Sequence, residues 1–440
     1  MTECEGCKAL QLRLDAALKQ LENALKRITE LEARLAVHEN AHTPSSAKRF
    51  KPQTSSDENA GKPGRAAGHE GTTRETPTPD KTIVALKDNC DECGSPLGNP
   101  AGFVTRVIED IPLPQKTVVT EFKLGFYVCK CGKHNLATHE DCPEKGVFGF
   151  RAIAQVALLK YAGRLPCKLV CEALERDYGL RITPATVLAI NSRASNAFEA
   201  RYKAILKRVR NAKVVFADET GFRVAGVNYW LWIFVTDTEV LVVIRQSRAI
   251  KVLREVLGKR FNGTIVCDGH KSYSNFTTKI QRCWAHLLRE AKHASEKSVE
   301  AERLYESLCK LYEKLTDALV LNPSMEERKR LRRNALETLK RLCKVKWKNP
   351  PTLKAATYLR NGLKHWLTFV TEDGVEPTNN RAERALREHV VLRKIIGGLR
   401  NPQGIRSHEV ITTILATWRQ REPEKQPYLR ERLANAIKAS

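Results

Sequence analysis

Residues 213–220, KVVFADET, and residues 263–270, GTIVCDGH, share one plan: an apolar run followed at once by an aspartate. Val214 to Ala217 precede Asp218, and Ile265, Val266 and Cys267 precede Asp268. Continuous apolar runs of this length suit central strands buried on both faces. Each strand is expected to end at its carboxylate, where it reaches the sheet edge. Open α/β sheets take their ligands there, outside the carboxyl ends of the strands. Between the two, residues 228–244 read as two strands meeting near Thr236–Glu239, and a helix is expected over about 248–257. The fold class is therefore α/β.

A third carboxylate completes the pattern. In EPTNNRAERALREHV, residues 376–390, Pro377 and the asparagines open a helix whose apolar row is Ala382, Leu386 and Val390. Glu383 lies off that row, on the side of Arg387. Two strand-end aspartates beside a helical glutamate would gather three negative charges, which oppose folding unless cations neutralise them. Oxygen ligands with room for water suit Mg²⁺ or Mn²⁺. Two such ions about 4 Å apart activate a nucleophile and stabilise the leaving oxygen of a phosphodiester. Taken singly, each residue also has a plain reading: Asp218 and Asp268 as turn residues, and Glu383 as partner of Asn380 in a capping-box-like helix start.

Composition narrows the field. The chain has 440 residues, 42% hydrophobic and 28% charged, enough for about three domains with buried cores. The apolar stretch around residues 231–244 is interrupted by Thr236, Asp237, Thr238 and Glu239, short of the roughly 18 apolar residues of a membrane-spanning helix. The opening MTECEGCKAL has no signal-like apolar core, so a cytoplasmic protein is expected. Seventy-five Lys and Arg against fifty Asp and Glu leave a net charge of +25, which points to a polyanionic partner such as DNA. Thirteen cysteines, an odd number, read as thiols or metal ligands rather than disulfides.

The chain divides by composition. Residues 1–40 hold a coiled-coil helix in which Leu14, Leu21, Ile28 and Leu35 recur every seven residues, with Leu18 and Leu25 between them, so self-association is expected. Residues 41–84, rich in Ser, Thr, Pro and Gly, read as a flexible linker whose Lys48, Arg49, Lys51, Lys62 and Arg65 can touch phosphates. Residues 85–147 carry two close cysteine pairs, Cys90 with Cys93 and Cys129 with Cys131, joined by β-like segments. This is the pattern of a zinc-ribbon-like module with one structural Zn²⁺, for which His134 and Cys142 are substitute ligands. Residues 148–210 turn helical. A helix over about 167–176, the turn DYGLRI and a helix opened by Thr183–Pro184 fit a helix-turn-helix, and equally any small helical bundle.

Several segments together resemble the transposases of the IS66 insertion-sequence family: FADET around Asp218, CDGHKSY around Asp268, CWAH at 283–286 and EPTNNRAERALR around Glu383. The N-terminal leucine helix, KPGRAAGHEG in the linker and the cysteine module before IEDIP follow the family's order, so the resemblance covers nearly the whole chain. The second cysteine pair departs from it, being C-x-C where the family usually has C-x-x-C. The resemblance implies a DDE transposase with a ribonuclease-H-like core, here over 211–420; within it residues 288–370 read as helices, so a helical insertion is expected there, and residues 421–440 are expected as a C-terminal tail. It also implies that Asp218, Asp268 and Glu383 hold two Mg²⁺ ions for strand cleavage and transfer, acting on element ends and target DNA beside the nucleoid, commonly with small accessory proteins.

Further residues have expected supporting roles. Cys283 and His286 are three apart, near enough on a helix to share a metal; packing is the reading for Cys283, and His286 and Asn380 are candidates for active-site support. Arg384, Arg387, Arg393 and Lys394 are expected to meet phosphates beside Glu383. From Met325 to Pro351, ten Lys and Arg face three Glu, and that strip, with Trp347, is a candidate grip on the DNA backbone. Two other functions fit the same residues: a transposase-derived, non-catalytic DNA-binding regulator, and a metal-dependent nuclease that cuts without joining.

Overall fold

The computed structural model describes residues 18–25, 27–28, 77–109 and 116–440. The chain divides into two compact units, one of residues 1–48 with 116–440, the other of residues 49–115. Most of the expected coiled coil, the linker to residue 76 and residues 110–115, which include the end of IEDIP, lie outside the described residues. Residues 18–25 are helical, and Leu18, Leu21, Leu25 and Ile28 are all exposed. In the 49–115 unit, the backbone closes a small turn in which Gly94 N–H donates to the Cys90 carbonyl and Cys90 N–H to that of Ser95, both at 3.0 Å.

In the larger unit a short hairpin comes first, β1 (Phe126–Val128) with β2 (His134–Leu136). A helical region follows: α1 (Phe150–Ala157), continued by a π-helical turn, then α2 (Cys167–Tyr178), α3 (Pro184–Ala197) and α4 (Glu199–Arg210). Helix α2 stops at Gly179, whose φ of 66° is the left-handed cap that glycine adopts without strain. Thr183 then caps α3, accepting from the Thr186 N–H, with Pro184 in the first turn. The expected turn chemistry between these helices is therefore present. The outer face of α3 is not basic, however: Pro184, Ala185, Leu188 and Ala189 are exposed, whereas Arg193 turns in to donate to the Lys145 carbonyl.

Five strands make the main sheet: β3 (Val214–Val224), β4 (Val227–Val235), β5 (Val240–Arg245), β6 (Thr264–Cys267) and β7 (Ile280–Arg282), in the order β5-β4-β3-β6-β7. β4 pairs antiparallel with both β3 and β5, while β6 and β7 run parallel to β3. Helices α5 (Ile250–Leu257) and α6 (Lys271–Phe276) make the parallel connections. One expectation needs correction. β3 does not end at Asp218 but runs six residues further, because the β3–β4 hairpin keeps pairing as far as Val224 with Val227. Only β6 stops just short of its aspartate.

The two-residue period of the strands builds a core on each face. Val215, Ala217, Trp232, Phe234 and Ile265 join one apolar cluster with helices of the 150–210 region. Phe216, Leu231, Ile233 and Val266 join the other. Against this second face pack α7 (Trp284–Ser295), α8 (Val299–Val320), α9 (Met325–Lys344), α10 (Pro350–Asn361), the short α11 (Thr368–Thr371) and α12 (Asn380–Ile396). The span expected as a helical insertion, about 288–370, contains α8 to α10, whose apolar residues join the cluster on this face of the sheet.

The open edge of the sheet is covered in a specific way. Along α13 (Pro402–Arg421), Glu409, Thr413 and Thr417 recur every four residues and so share one face. Their side-chain oxygens accept from the backbone N–H groups of Ile244, Val242 and Val240 at 2.7, 2.9 and 3.1 Å. The edge strand β5 therefore offers no free donors there for pairing with another chain. A final helix, α14 (Leu429–Lys438), closes the first core. Among the described residues, no helix is long and apolar enough to cross a membrane.

Candidate active site

Three segments meet where β6 ends. Cys283 N–H donates to the Cys267 carbonyl at 2.9 Å, and Trp284 N–H donates to the Pro377 carbonyl at 2.9 Å. The start of α7 is thereby tied both to the strand before Asp268 and to the loop before α12. Parallel pairing of β3 with β6 runs from Val214 with Thr264 to Phe216 with Val266, and β6 ends at Cys267, so Asp268 leaves the sheet beside the strand that carries Asp218. Asp218 has the parity of Phe216, the face on which α12 lays Ala382 and Leu386. Glu383 sits in the first turn of that helix.

Electrostatics reports the same gathering. Asp218 is held well above the usual carboxylate range by burial first, then by Glu219, Asp268 and, to a lesser degree, Glu383. Glu383 is also raised, by burial and by Asp268, against the opposing pull of Arg289 and Arg387. Asp268 accepts from the His270 N–H at 2.8 Å and lies 3.9 Å from Arg248. A cluster of carboxylates whose acidity is suppressed by burial and by one another is a site that a cation would complete. Oxygen-only donors and a buried Glu383 Oε1 without a hydrogen bond fit Mg²⁺ or Mn²⁺. Asp218, Asp268 and Glu383 are not, however, the tightest ligand cluster. Among the described residues, ligand atoms within 4.8 Å of one another belong to Cys283, His286 and Glu383.

The supporting asparagine is Asn379 rather than Asn380. Asn380 is exposed, whereas Asn379 is fully buried and its Nδ2 donates to the Ala217 carbonyl at 2.9 Å. Its backbone N–H donates to Cys283 Sγ at 3.2 Å. The capping-box reading of Glu383 also falls, because the N-cap is Asn379 and its side chain makes no capping bond. Cys283 is buried as expected, and burial pushes its thiol up to about 11 despite that N–H. His286 places Nδ1 3.5 Å from Glu383 Oε1.

Glu219 and Arg248 escaped the sequence reading. Strand alternation turns Glu219 to the face opposite Asp218, where Arg248 Nε donates to it at 2.7 Å and Tyr273 Oη donates as well. Burial and Asp268 raise its pKa, with Tyr273 and Arg248 opposing. Ending the strand at Asp218 left Glu219 outside it; because β3 runs on to Val224, Glu219 is a buried strand acid that needs a partner.

The basic residues beside Glu383 divide. Arg384 and Arg387 are exposed on α12, and Lys394 is exposed near its end. Arg393 instead donates to Thr220 Oγ1 at 3.2 Å and to the Gly221 carbonyl, fastening α12 to β3. Gly397 and Gly398 make the expected turn: a Cβ on Gly398 would lie 2.5 Å from the Arg223 carbonyl oxygen, which accepts the Leu399 N–H. Trp347 is half-buried against the second core and donates to the Leu342 carbonyl at 3.1 Å, so it is not an open stacking platform.

Each cysteine pair occupies a tight turn ending in a left-handed glycine, Gly94 at φ 71° and Gly132 at φ 81°. Gly132 N–H donates to the Cys129 carbonyl at 2.8 Å, as Gly94 N–H does to that of Cys90. Hydrogen bonds to Ser95 and Cys90 lower the Cys93 thiol, and hydrogen bonds to Cys131 lower that of Cys129. Cys142 is partly buried, and the His134 ring lies edge-on to Phe126 at 5.3 Å.

Comparison with known proteins places this architecture. The model of a family described as "Transposase IS66 family" matches residues 145–407, more than half of the chain. A protein of Sinorhizobium fredii (strain NBRC 101917 / NGR234), described as uncharacterized protein y4qI, is 25% identical over 312 residues, covering 62% of this chain and 57% of that relative. The match therefore spans little more than half the relative's length.

Proposed function

Since the chain belongs to the IS66 family of transposases, we propose that it is the DNA transposase of an insertion sequence. It cleaves element ends and joins the freed 3′-hydroxyls to target DNA by two-metal phosphoryl transfer. The pairing of β3 with β6 carries this reading, together with pKa values raised by burial and then, at Asp218, by Asp268 and Glu383 and, at Glu383, by Asp268. The strand order β5-β4-β3-β6-β7, three antiparallel strands followed by two parallel ones, supports a ribonuclease-H-like core.

In this mechanism Asp218, Asp268 and Glu383 would hold two Mg²⁺ ions, which would supply positive charge to the attacking and leaving oxygens of the phosphodiester. The chain's own residues do the positioning. Asn379 fixes the start of α12 against β3, and Arg248 orients the strand end through Glu219 and Asp268. Arg384 and Arg387 offer exposed guanidiniums to the DNA backbone beside the site. The exposed leucine helix supports assembly into a homo-oligomer, and within each cysteine pair, Cys90 with Cys93 and Cys129 with Cys131, the tight turn keeps the short spacing that Zn²⁺ ligation needs. The reading puts the protein in the cytoplasm, at the nucleoid when bound to DNA.

Purified protein given labelled element ends and Mg²⁺ should nick and join them. Asp218→Asn, Asp268→Asn and Glu383→Gln should each abolish joining while leaving DNA binding intact; joining retained in these variants would overturn the site. Cut but unjoined products in the wild type would instead indicate a nuclease, and tight end binding without any metal-dependent product a regulator. Cys90→Ser should carry one zinc fewer per chain than the wild type.

A further inference from the structure

The tightest ligand cluster among the described residues is made of Cys283, His286 and Glu383, whose sulfur, imidazole nitrogen and carboxylate oxygen lie within 4.8 Å of one another. Two of the three come from the start of one helix. Cys283 is the N-cap of α7 and His286 follows in its first turn, so the helical spacing brings both to one side. The third arrives from the first turn of α12, held in place by Asn379, whose backbone N–H donates to Cys283 Sγ. Glu383 Oε1 is buried, accepts no hydrogen bond and lies 3.5 Å from His286 Nδ1. The side chains of His286 and Glu383 keep 15% and 31% of their surface exposed, enough to leave an approach for an ion on a site whose sulfur is enclosed.

This donor set differs in kind from the three carboxylates. Mg²⁺ takes oxygens and keeps its water, whereas sulfur with imidazole and one carboxylate suits Zn²⁺. Three protein ligands leave a fourth tetrahedral position for water. We propose that Cys283, His286 and Glu383 form a Zn²⁺ site that competes with the carboxylate trio for Glu383. On binding, the Cys283 S–H bond breaks, a sulfur–zinc bond forms and the proton leaves to solvent. A glutamate oxygen committed to zinc is withdrawn from Asp218 and Asp268, so occupancy of this site switches the neighbouring one off. That consequence rests on the proposed transposase reading; the binding site itself does not.

The test uses the full chain. After equilibrium dialysis against Zn²⁺, elemental analysis should find one more zinc per chain in the wild type than in Cys283→Ser, His286→Ala or Glu383→Gln, with affinity at this site lowered more than about tenfold in each variant. Zinc on the other cysteines is common to all four proteins and cancels in the comparison. With Co²⁺ in place of zinc, the wild type should show a near-ultraviolet thiolate-to-cobalt band stronger than that of Cys283→Ser. Because Cys283 is buried, Glu383→Gln decides the matter if Cys283→Ser does not fold. Equal zinc content and equal cobalt spectra in wild type and Glu383→Gln would overturn the site. In joining assays at fixed Mg²⁺, added Zn²⁺ should suppress the wild type and excess Mg²⁺ should restore it; suppression that Mg²⁺ cannot relieve would overturn the competition. If the wild type joins no DNA at all, the transposase reading fails while the zinc content still reads the site.

Discussion

Asn379 reaches across 162 residues of sequence to donate its Nδ2 hydrogen to the Ala217 carbonyl at 2.9 Å. Ala217 immediately precedes Asp218, and Asn379 occupies the N-cap position of the helix of Glu383, so one hydrogen bond links the supports of two carboxylates. Both groups are buried, where no water can replace the donor.

Asn379→Ala should therefore destabilise the protein by about 1–3 kcal/mol, the cost of stranding a buried carbonyl. Asn380→Ala, at an exposed position, should change stability by less than about 0.5 kcal/mol. Denaturant midpoints of the two variants check this contrast, and equal midpoints would refute the assignment of the supporting role to Asn379.

Divalent-ion stabilisation should grow with pH. Asp218 and Glu383 are raised above their ordinary values of 3.8 and 4.5, so the folded chain holds more protons than the unfolded one in that window. From these groups, the ion-free protein is most stable below the ordinary values and loses that advantage as pH rises through the raised ones. Mg²⁺ favours the ionised carboxylates and offsets the loss. Melting curves should show almost no Mg²⁺ effect near pH ~4.5 and a rise of about 2–4 °C near pH ~8. Asp218→Asn should reduce the rise at the higher pH.

Arg248→Ala should cost on the order of 2–3 kcal/mol, because it leaves the fully buried Glu219 carboxylate with Tyr273 alone. The figure sits below the usual cost of breaking a buried pair because Arg248 is itself 34% exposed and partly screened. Adding Glu219→Gln to Arg248→Ala should recover part of the loss. A double variant less stable than Arg248→Ala would contradict a charge-pairing role.

DNA affinity should fall steeply with salt, and α9 should contribute to the slope. Arg330, Arg332 and Arg333 are exposed on this helix. Replacing all three with Gln should reduce the slope of log affinity against log salt by about 1 for each phosphate left without its guanidinium. An unchanged slope would place the DNA path elsewhere.

Much of this was legible in the sequence for local reasons. Four apolar residues before Asp218 and three before Asp268 specify buried strands, and Thr183–Pro184 specifies a helix start, because these preferences act over a few neighbouring residues. The apolar row of α12 was legible only in part: Ala382 and Leu386 are buried, but the next inward residue is His389, which sits 3.1 Å from His408. That partner belongs to another helix, and helical period alone does not reveal it.

The sequence by itself determined which strands and helices form and that three carboxylates, a basic surface and paired cysteines are available. Tertiary structure decided the rest: that β3 runs past Asp218 with β4, that Asn379 rather than Asn380 turns inward, and that Glu383 lies against Cys283 and His286. It also turned Arg393 and Trp347 toward the protein. The division follows from range. Periodicity and capping are set by residues within a turn or two of each other, whereas a buried polar group is satisfied by whichever distant segment the packed core brings alongside it.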